Sequence, residues 1–175
     1  DFIKDIAKNK GAGFKSLVQS FPGLENRYES TKYNFEPKSI LGYSIAVKKL
    51  HGTGYVLCGN STEFLDPIFS SGVMFALKSG FLAADLTAKH LKGEKVDWSR
   101  DYDDVLSHGI GVFRSYVDAW YSGDLHTIFF VKGGDPEFKK QICSVLAGYV
   151  WDMSNPFVKK HKTLLKTLAK VISIG

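Results

Sequence analysis

The densest set of residues able to do chemistry is the run Gly59-Asn60-Ser61-Thr62-Glu63-Phe64-Leu65-Asp66-Pro67-Ile68-Phe69-Ser70-Ser71-Gly72-Val73. It reads as a glycine turn and polar loop leaving the strand Tyr55-Val56-Leu57-Cys58, then a helix whose first turn is Ser-Ser-Gly. A helix start leaves backbone N–H groups unpaired and carries the positive end of the helix dipole. It therefore suits an anion or an electron-rich carbonyl. Gly72 has no Cβ, so a ligand can approach its backbone closely. Ala76, Gly80, Ala83 and Ala84 behind it are small, which predicts a helix lying tight against a sheet. The same residues equally suit a plain helix start, capped by Ser70 or Ser71, with no ligand.

The elements that must position this run follow from hydrophobic periodicity and turn residues. Residues 1–20 read as a short helix interrupted by Gly11-Ala12-Gly13, and Phe21-Pro22-Gly23 as a boundary. Strands are predicted over 27–35, 43–47 and 55–58, with His51-Gly52-Thr53-Gly54 a hairpin-type connection between the last two. Beyond residue 70 the pattern is helical: 73–91 stopped by Gly93, 102–130 broken at Gly109-Ile110-Gly111 and Gly123, 135–149, and a last helix from 155. Asp135-Pro136 and Asn155-Pro156 each place a capping side chain before a proline at the first helical position. The predicted class is α+β, a few antiparallel strands followed by a mainly helical C-terminal part of four helices.

Composition narrows the function classes. The chain has 175 residues, enough for one core, with 23 basic and 18 acidic side chains. Five of the lysines (Lys159, Lys160, Lys162, Lys166 and Lys170) lie in residues 156–175, which hold no acid. The rest is balanced, so a converging basic groove for nucleic acid is not predicted. Cys58 and Cys143 lack metal-ligand spacing and read as buried free thiols of a reducing, cytoplasmic setting. No apolar run is long enough to span a bilayer.

Other candidates carry bland readings beside their functional ones. Phe113, Tyr116, Val117, Trp120 and Tyr121 form a helical stripe, read first as core and otherwise as an aromatic wall of a substrate pocket. His51, His90, His108, His126 and His161 show no metal spacing and read as surface or capping side chains. Asp101-Tyr102-Asp103-Asp104 lacks the glycine and terminal Glu of a calcium loop and reads as a solvated helix start. Ser107-His108 is too weak to mark a nucleophile and base. The last helix puts its lysines away from Phe157, Leu164, Leu165, Leu168, Val171 and Ile172. It reads as packed with a basic face outward, or otherwise as a weak membrane-surface contact through 156–175.

Gly-Asn-Ser-x-Glu-Phe-Leu-Asp-Pro-Ile-Phe-Ser-Ser-Gly-Val, running into a small-residue helix, resembles the second flavin-binding motif of flavin-dependent halogenases, most closely the branch acting on phenols and related electron-rich rings. A looser likeness extends from Phe21 onward, including Trp120-Tyr121 and the segment 146–157. The resemblance implies the C-terminal part of an FAD-dependent oxidoreductase, a fragment of the FAD/NAD(P)-binding monooxygenase-like α/β fold. In that reading residues 1–40 end a substrate-binding region, 41–92 close the FAD-binding domain and 93–175 form a helical C-terminal region.

By position, the resemblance assigns Gly59 and Asn60 to the ribityl or phosphate end of FAD, and Asp66 and Pro67 to the side of the ring system. It assigns the backbone N–H groups of Gly72 and Val73 to the pyrimidine edge, Ser71 and Gly72 to a halide ion, and Phe69 and Trp120 to the substrate. It implies an aromatic small-molecule or carrier-bound substrate and a flavin reductase as partners. Asn60 stands where the family has Asp, so it offers hydrogen bonds but no charge. Phe69 stands where tryptophan halogenases carry an acid, which disfavours a tryptophan substrate.

Gly11-Ala-Gly13 and Gly52-Thr-Gly54 are only fragments of the Gly-x-Gly-x-x-Gly pyrophosphate turn. The family's catalytic lysine and Trp-x-Trp-x-Ile-Pro motif are not in the sequence. The chain begins at Asp1, so the expectation is a fragment with an upstream portion, inactive alone and binding FAD weakly or not at all. A flavin monooxygenase or reductase without halide chemistry is the alternative within the superfamily. A non-catalytic membrane- or carrier-docking module is the alternative outside it.

Overall fold

The computed structural model describes residues 10–25, 27, 30, 32, 34–36, 38, 40 and 42–174. The chain divides into two compact units, Asp1–Tyr43 and Ser44–Gly175. In the first, α1 (Lys10–Ser20) runs through Gly11 and Gly13 without the predicted interruption. Residues 1–9 of that predicted helix lie outside the described residues. The strand predicted over 27–35 is turn or coil wherever it is described, and its remaining positions lie outside the described residues.

The second unit is mostly helical, with two small antiparallel ladders. Strand β1 (Ile45–Ala46) pairs with β4 (Glu63–Phe64), with Ile45 opposite Phe64. Strand β2 (His51–Gly52) pairs with β3 (Tyr55–Val56) across the Thr53-Gly54 turn, with Gly52 opposite Tyr55. The predicted connection is thus itself a hairpin. The 43–47 segment pairs past it, because the loop after β3 returns its own strand alongside Ile45-Ala46. The ladders are only two residues long; Leu65, just past β4, is buried in the core, and the Leu57 N–H donates to the Leu50 carbonyl at 2.8 Å.

Helix α2 (Gly72–Leu91) is followed by a π-helical turn (Ser99–Asp104) leading straight into α3 (Val105–Tyr121). Then come α4 (Asp124–Phe130), α5 (Pro136–Leu146), α6 (Pro156–Lys159) and α7 (His161–Ile174). Both predicted caps are formed: Asp135 accepts from the Glu137 N–H at 2.8 Å and Asn155 from the Phe157 N–H at 2.9 Å. Gly123, at φ 86°, ends α3 as predicted. The expected single last helix divides at Lys160, whose φ of −116° is not helical, so six helical segments stand where four were expected.

Gly109 and Gly111 do not break α3. A Cβ at 109 would sit 2.5 Å from the Trp151 ring, so the missing side chain serves the close approach of that indole, whose Nε1–H donates to the Val105 carbonyl at 2.8 Å. The core runs along α3 (Leu106, Ile110, Phe113, Tyr116) and is closed by Leu125 and Ile128 of α4, Ile142 and Val145 of α5, Phe157 and Val158. Trp120 packs at its edge, and Tyr121 is exposed, so the aromatic stripe is core for most of its length.

Three further expectations change. Helix α2 buries Phe75, Ser79, Ala83 and Leu86 on the helical body, whereas Ala76 and Ala84 are exposed rather than set against a sheet. Cys143 is exposed, because it sits on the outward side of α5 beside the buried Ile142; Cys58 is half-buried. Three histidines are not surface groups. His51 Nδ1 lies 2.9 Å from Asp103 Oδ1, His161 Nδ1 lies 2.6 Å from Ser115 Oγ, and the His108 Nε2 atom is buried without a partner.

Two predictions follow from this packing. Gly109→Ala should destabilise the protein by about 1–3 kcal/mol of overpacking, offset by up to ~1 kcal/mol of helix propensity. Gly111→Ala, whose Cβ would meet only His161 Cε1 at 3.9 Å, should be neutral or stabilising when both variants are compared with wild type by urea titration. Burial, then the neighbouring His108 and Lys162, lowers the His161 pKa. The unfolded chain therefore takes up the proton first, so stability is present above about pH 6.5 and falls as pH drops through and below it. His161→Asn should flatten that part of the dependence in thermal melts between about pH 8 and pH 5.

Candidate functional site

The run singled out in the sequence is a compact loop between β3 and α2. Cys58 is extended, and Gly59, at φ 60°, opens a 3-10 turn over Gly59–Ser61. A Cβ at 59 would meet the Ala76 Cβ at 3.4 Å, so positive φ and close approach to α2 both call for glycine. The loop is tied down by two buried groups. The Gly59 N–H donates to Ser79 Oγ at 2.8 Å, and that hydroxyl donates to the Ala76 carbonyl at 3.1 Å. The Tyr102 hydroxyl donates to the Leu57 carbonyl at 2.5 Å and lies 3.5 Å from Cys58 Sγ. Burial holds the Tyr102 phenol well above its ordinary pKa, so it stays a protonated donor.

Downstream, Asp66 caps a second 3-10 turn, Pro67–Phe69, by accepting from the Ile68 N–H at 3.2 Å. Its other oxygen accepts from the Tyr121 hydroxyl at 2.9 Å, and Glu63 accepts from Arg114 Nη2 at 2.6 Å. Helix α3 thus holds the far side of the loop. Ser70 adopts φ 54°, a left-handed conformation, and turns the chain into α2.

At the helix start Ser71 occupies the N-cap position and is buried, yet neither it nor any other side chain caps the helix. Gly72 and Val73 are exposed beside it. The Asn60 carboxamide lies over this point: a Cβ at 72 would meet Asn60 Oδ1 at 3.5 Å. A cleft of about 160 Å³ opens here, lined by Asn60, Glu63, Pro67, Ser71, Gly72 and Phe75. The structure therefore brings Asn60, Pro67, Ser71 and Gly72 to one cleft.

It does not bring every candidate there. Gly59 sits behind Asn60 against Ala76, and Val73 faces outward one position into the helix. Asp66 is occupied by the turn and Tyr121. Phe69 and Trp120 meet edge to face with centroids 5.7 Å apart, and Phe69 also meets Phe113, but neither lines the cleft.

The cleft tests what these residues could hold. Its volume is about half the roughly 300 Å³ at the lower end of ordinary ligand pockets. It can take an ion or the edge of a larger group, whose bulk would lie outside this cleft. The exposed, uncapped start of a twenty-residue helix supplies N–H donors and a positive dipole end there. One edge of a flavin and a small anion fit that donor set. No group of three or more His, Cys, Asp or Glu among the described residues could hold a metal ion.

Sequence reasoning missed Ser79 and Tyr102. The signal for Ser79 was a lone hydroxyl on the otherwise apolar buried face of α2, seven residues after Gly72. Ser79→Ala should leave the Gly59 N–H without its partner and cost about 1–3 kcal/mol in chemical denaturation.

No family model matches the chain. It is 31% identical over 142 residues to the 1H-pyrrole-2-carbonyl-(peptidyl-carrier protein) chlorinase of Pseudomonas fluorescens, covering 79% of this chain and 31% of that protein. It is 27% identical over 135 residues to the corresponding brominase of Pseudoalteromonas luteoviolacea, covering 75% of this chain and 32% of that protein. Shorter matches are likewise named halogenases, one of them flavin-dependent and one a tryptophan 2-halogenase. Among solved structures, it is similar to a flavoprotein/dehydrogenase from Cytophaga hutchinsonii, with a TM-score of 0.86 and 52% identity over 94% of this chain and 41% of that one. The chain spans about a third of the length of the curated relatives. It is a relative of the flavin-dependent halogenases, matched over most of its own length.

Proposed function

We infer that the chain supplies the flavin-edge and halide-facing part of an FAD-dependent halogenase acting on an electron-rich aromatic ring, in a longer protein of the FAD/NAD(P)-binding monooxygenase-like α/β fold. The observation that carries this is the uncapped start of α2 opening on a cleft with Gly72 exposed. The named activities of the pyrrole chlorinase and brominase support a carrier-bound aromatic substrate and a halide ion. A flavin reductase would be the partner that delivers reduced flavin.

FAD, when bound, would supply the electrons and the oxygen activation on which halide oxidation depends. The chain's own residues bind and orient. The N–H groups of Gly72 and Val73 would meet the pyrimidine edge, and Asn60, backed by Gly59, the ribityl or phosphate end. Asp66 would keep Pro67 beside the ring by holding its turn. Ser71 and Gly72 would receive the halide, where the helix dipole favours an anion by about 0.3–1 kcal/mol. Phe69 and Trp120 form an aromatic pair behind the turn and would bound the substrate space from the core side.

The test is turnover of an electron-rich ring by the longer protein with reduced FAD and chloride or bromide. Halogenated product is expected; peroxide or hydroxylated product alone overturns the reading. Gly72→Ala meets only an ordinary contact with Asn60. It should leave the melting temperature unchanged or raised while lowering halogenation by roughly 100-fold, since misplacement by about 1 Å has that effect.

A second reading, a flavin oxidoreductase without halide chemistry, is favoured by one observation. The solved flavoprotein/dehydrogenase is more similar in sequence than the named halogenases. Flavin-dependent substrate oxidation that does not change with halide would select it.

A further inference from the structure

The positive charge of this protein is concentrated on one element. Residues 156–175 contain five lysines and no acid, and all five lysines are exposed. None of the ion pairs among the described residues involves them. Lys162, Lys166 and Lys170 recur every four residues along α7, which sets them in one row about 6 Å apart. Lys159 and Lys160 extend the charge at the end of α6.

Unpaired like charges in a row repel one another, a cost that a surface helix usually relieves with intervening acids. Here the acids are absent. The row also borders a cleft of about 530 Å³ between α3, α4 and α7, lined by His161, Lys162 and Lys166 of α7 and by Arg114, Ser115, Asp118 and Asp124 from α3 and α4. Arg114 is paired with Glu63, so the basic side chains of this cleft that have no ion-pair partner among the described residues are those of α7.

Two macromolecular surfaces present enough negative charge to meet such a row, a membrane and an acidic protein. A helix that lies in a membrane interface inserts its apolar side. In α7 that side is already used: Leu165 and Ala169 are buried, and Leu164, Leu168 and Ile172 pack against the core. Only Val171 and Ile174 remain exposed, at its end. What α7 offers outward is charge, the complement of an acidic protein face.

We propose that the lysine row of α6 and α7 is a docking surface for an acidic partner protein, and that the partner is the carrier domain presenting the aromatic substrate. The identity of the partner rests on the function proposed above; the acidic docking face does not. Steering by the row raises the rate of encounter and orients the carrier, while buried contacts elsewhere set its residence.

The test measures docking and chemistry separately. A labelled peptidyl-carrier domain loaded with pyrrole-2-carbonyl is titrated with the wild-type chain and with K162E/K166E/K170E at low and high salt. Wild type should bind, with an affinity that falls as salt rises. The triple variant should bind at least tenfold more weakly while keeping the wild-type circular dichroism. If charge reversal disturbs folding, K162Q/K166Q/K170Q should show the same loss to a smaller degree. In the longer protein the Glu variant should raise KM for the loaded carrier and leave turnover of a free electron-rich ring unchanged. Equal binding by wild type and folded variants overturns the proposal. So does wild-type binding to phosphatidylserine vesicles with none to the carrier. Halogenation of a free ring without carrier binding sinks the docking surface and spares the function; carrier binding without halogenation does the reverse.

Discussion

The site depends on one buried hydroxyl. Ser79 Oγ accepts a hydrogen bond from the Gly59 N–H and donates one to the Ala76 carbonyl, which ties the loop leaving β3 to the second turn of α2. Gly59 has positive φ, a conformation that a side chain at this position would strain. Tyr102 secures the preceding strand by hydrogen-bonding the Leu57 carbonyl, from a π-helical turn more than twenty residues beyond α2's start. With that anchor in place, the start of α2 is carried to a defined position next to Asn60.

The rest of the loop is held by α3, which reaches it with Arg114 and Tyr121. These two contacts are exposed, and their energetic worth is small. Their importance is directional. They fix where Glu63 and Asp66 can lie, and Asp66 in turn shapes the Pro67–Phe69 turn. The aromatic pair Phe69 and Trp120 then connects that turn to the core of α3.

Charge divides the molecule by function. No cationic side chain lines the cleft, the Glu63 carboxylate there is paired with Arg114, and the peptide dipoles at the start of α2 supply a positive end. Lys162, Lys166 and Lys170 stand exposed on α7, whose apolar side is spent on the core. A dipole end in a small cleft favours a fixed, partly desolvated anion. A row of flexible ammonium groups in water favours a large acidic surface met transiently.

The sequence by itself determined the main helical stretches, the proline-led starts of α5 and α6 and the glycine stop after α3, because these follow from local propensity and capping between neighbours. It also made the Asp-Pro-Ile-Phe-Ser-Ser-Gly run stand out as a helix start open to an anion, since that depends on a few adjacent residues. Only the tertiary structure decided which strands pair. Ile45-Ala46 skips the hairpin to reach Glu63-Phe64, and two-residue ladders have no periodic pattern to read. It alone put Trp151 against Gly109, so a glycine that looked like a break became a contact. It alone recruited Ser79 and Tyr102 to the loop and moved Phe69 and Trp120 from the cleft to the wall behind it. Those choices rest on contacts between residues far apart in the chain, whose partners are selected by packing and by the satisfaction of buried polar groups, and neither is written in any local pattern.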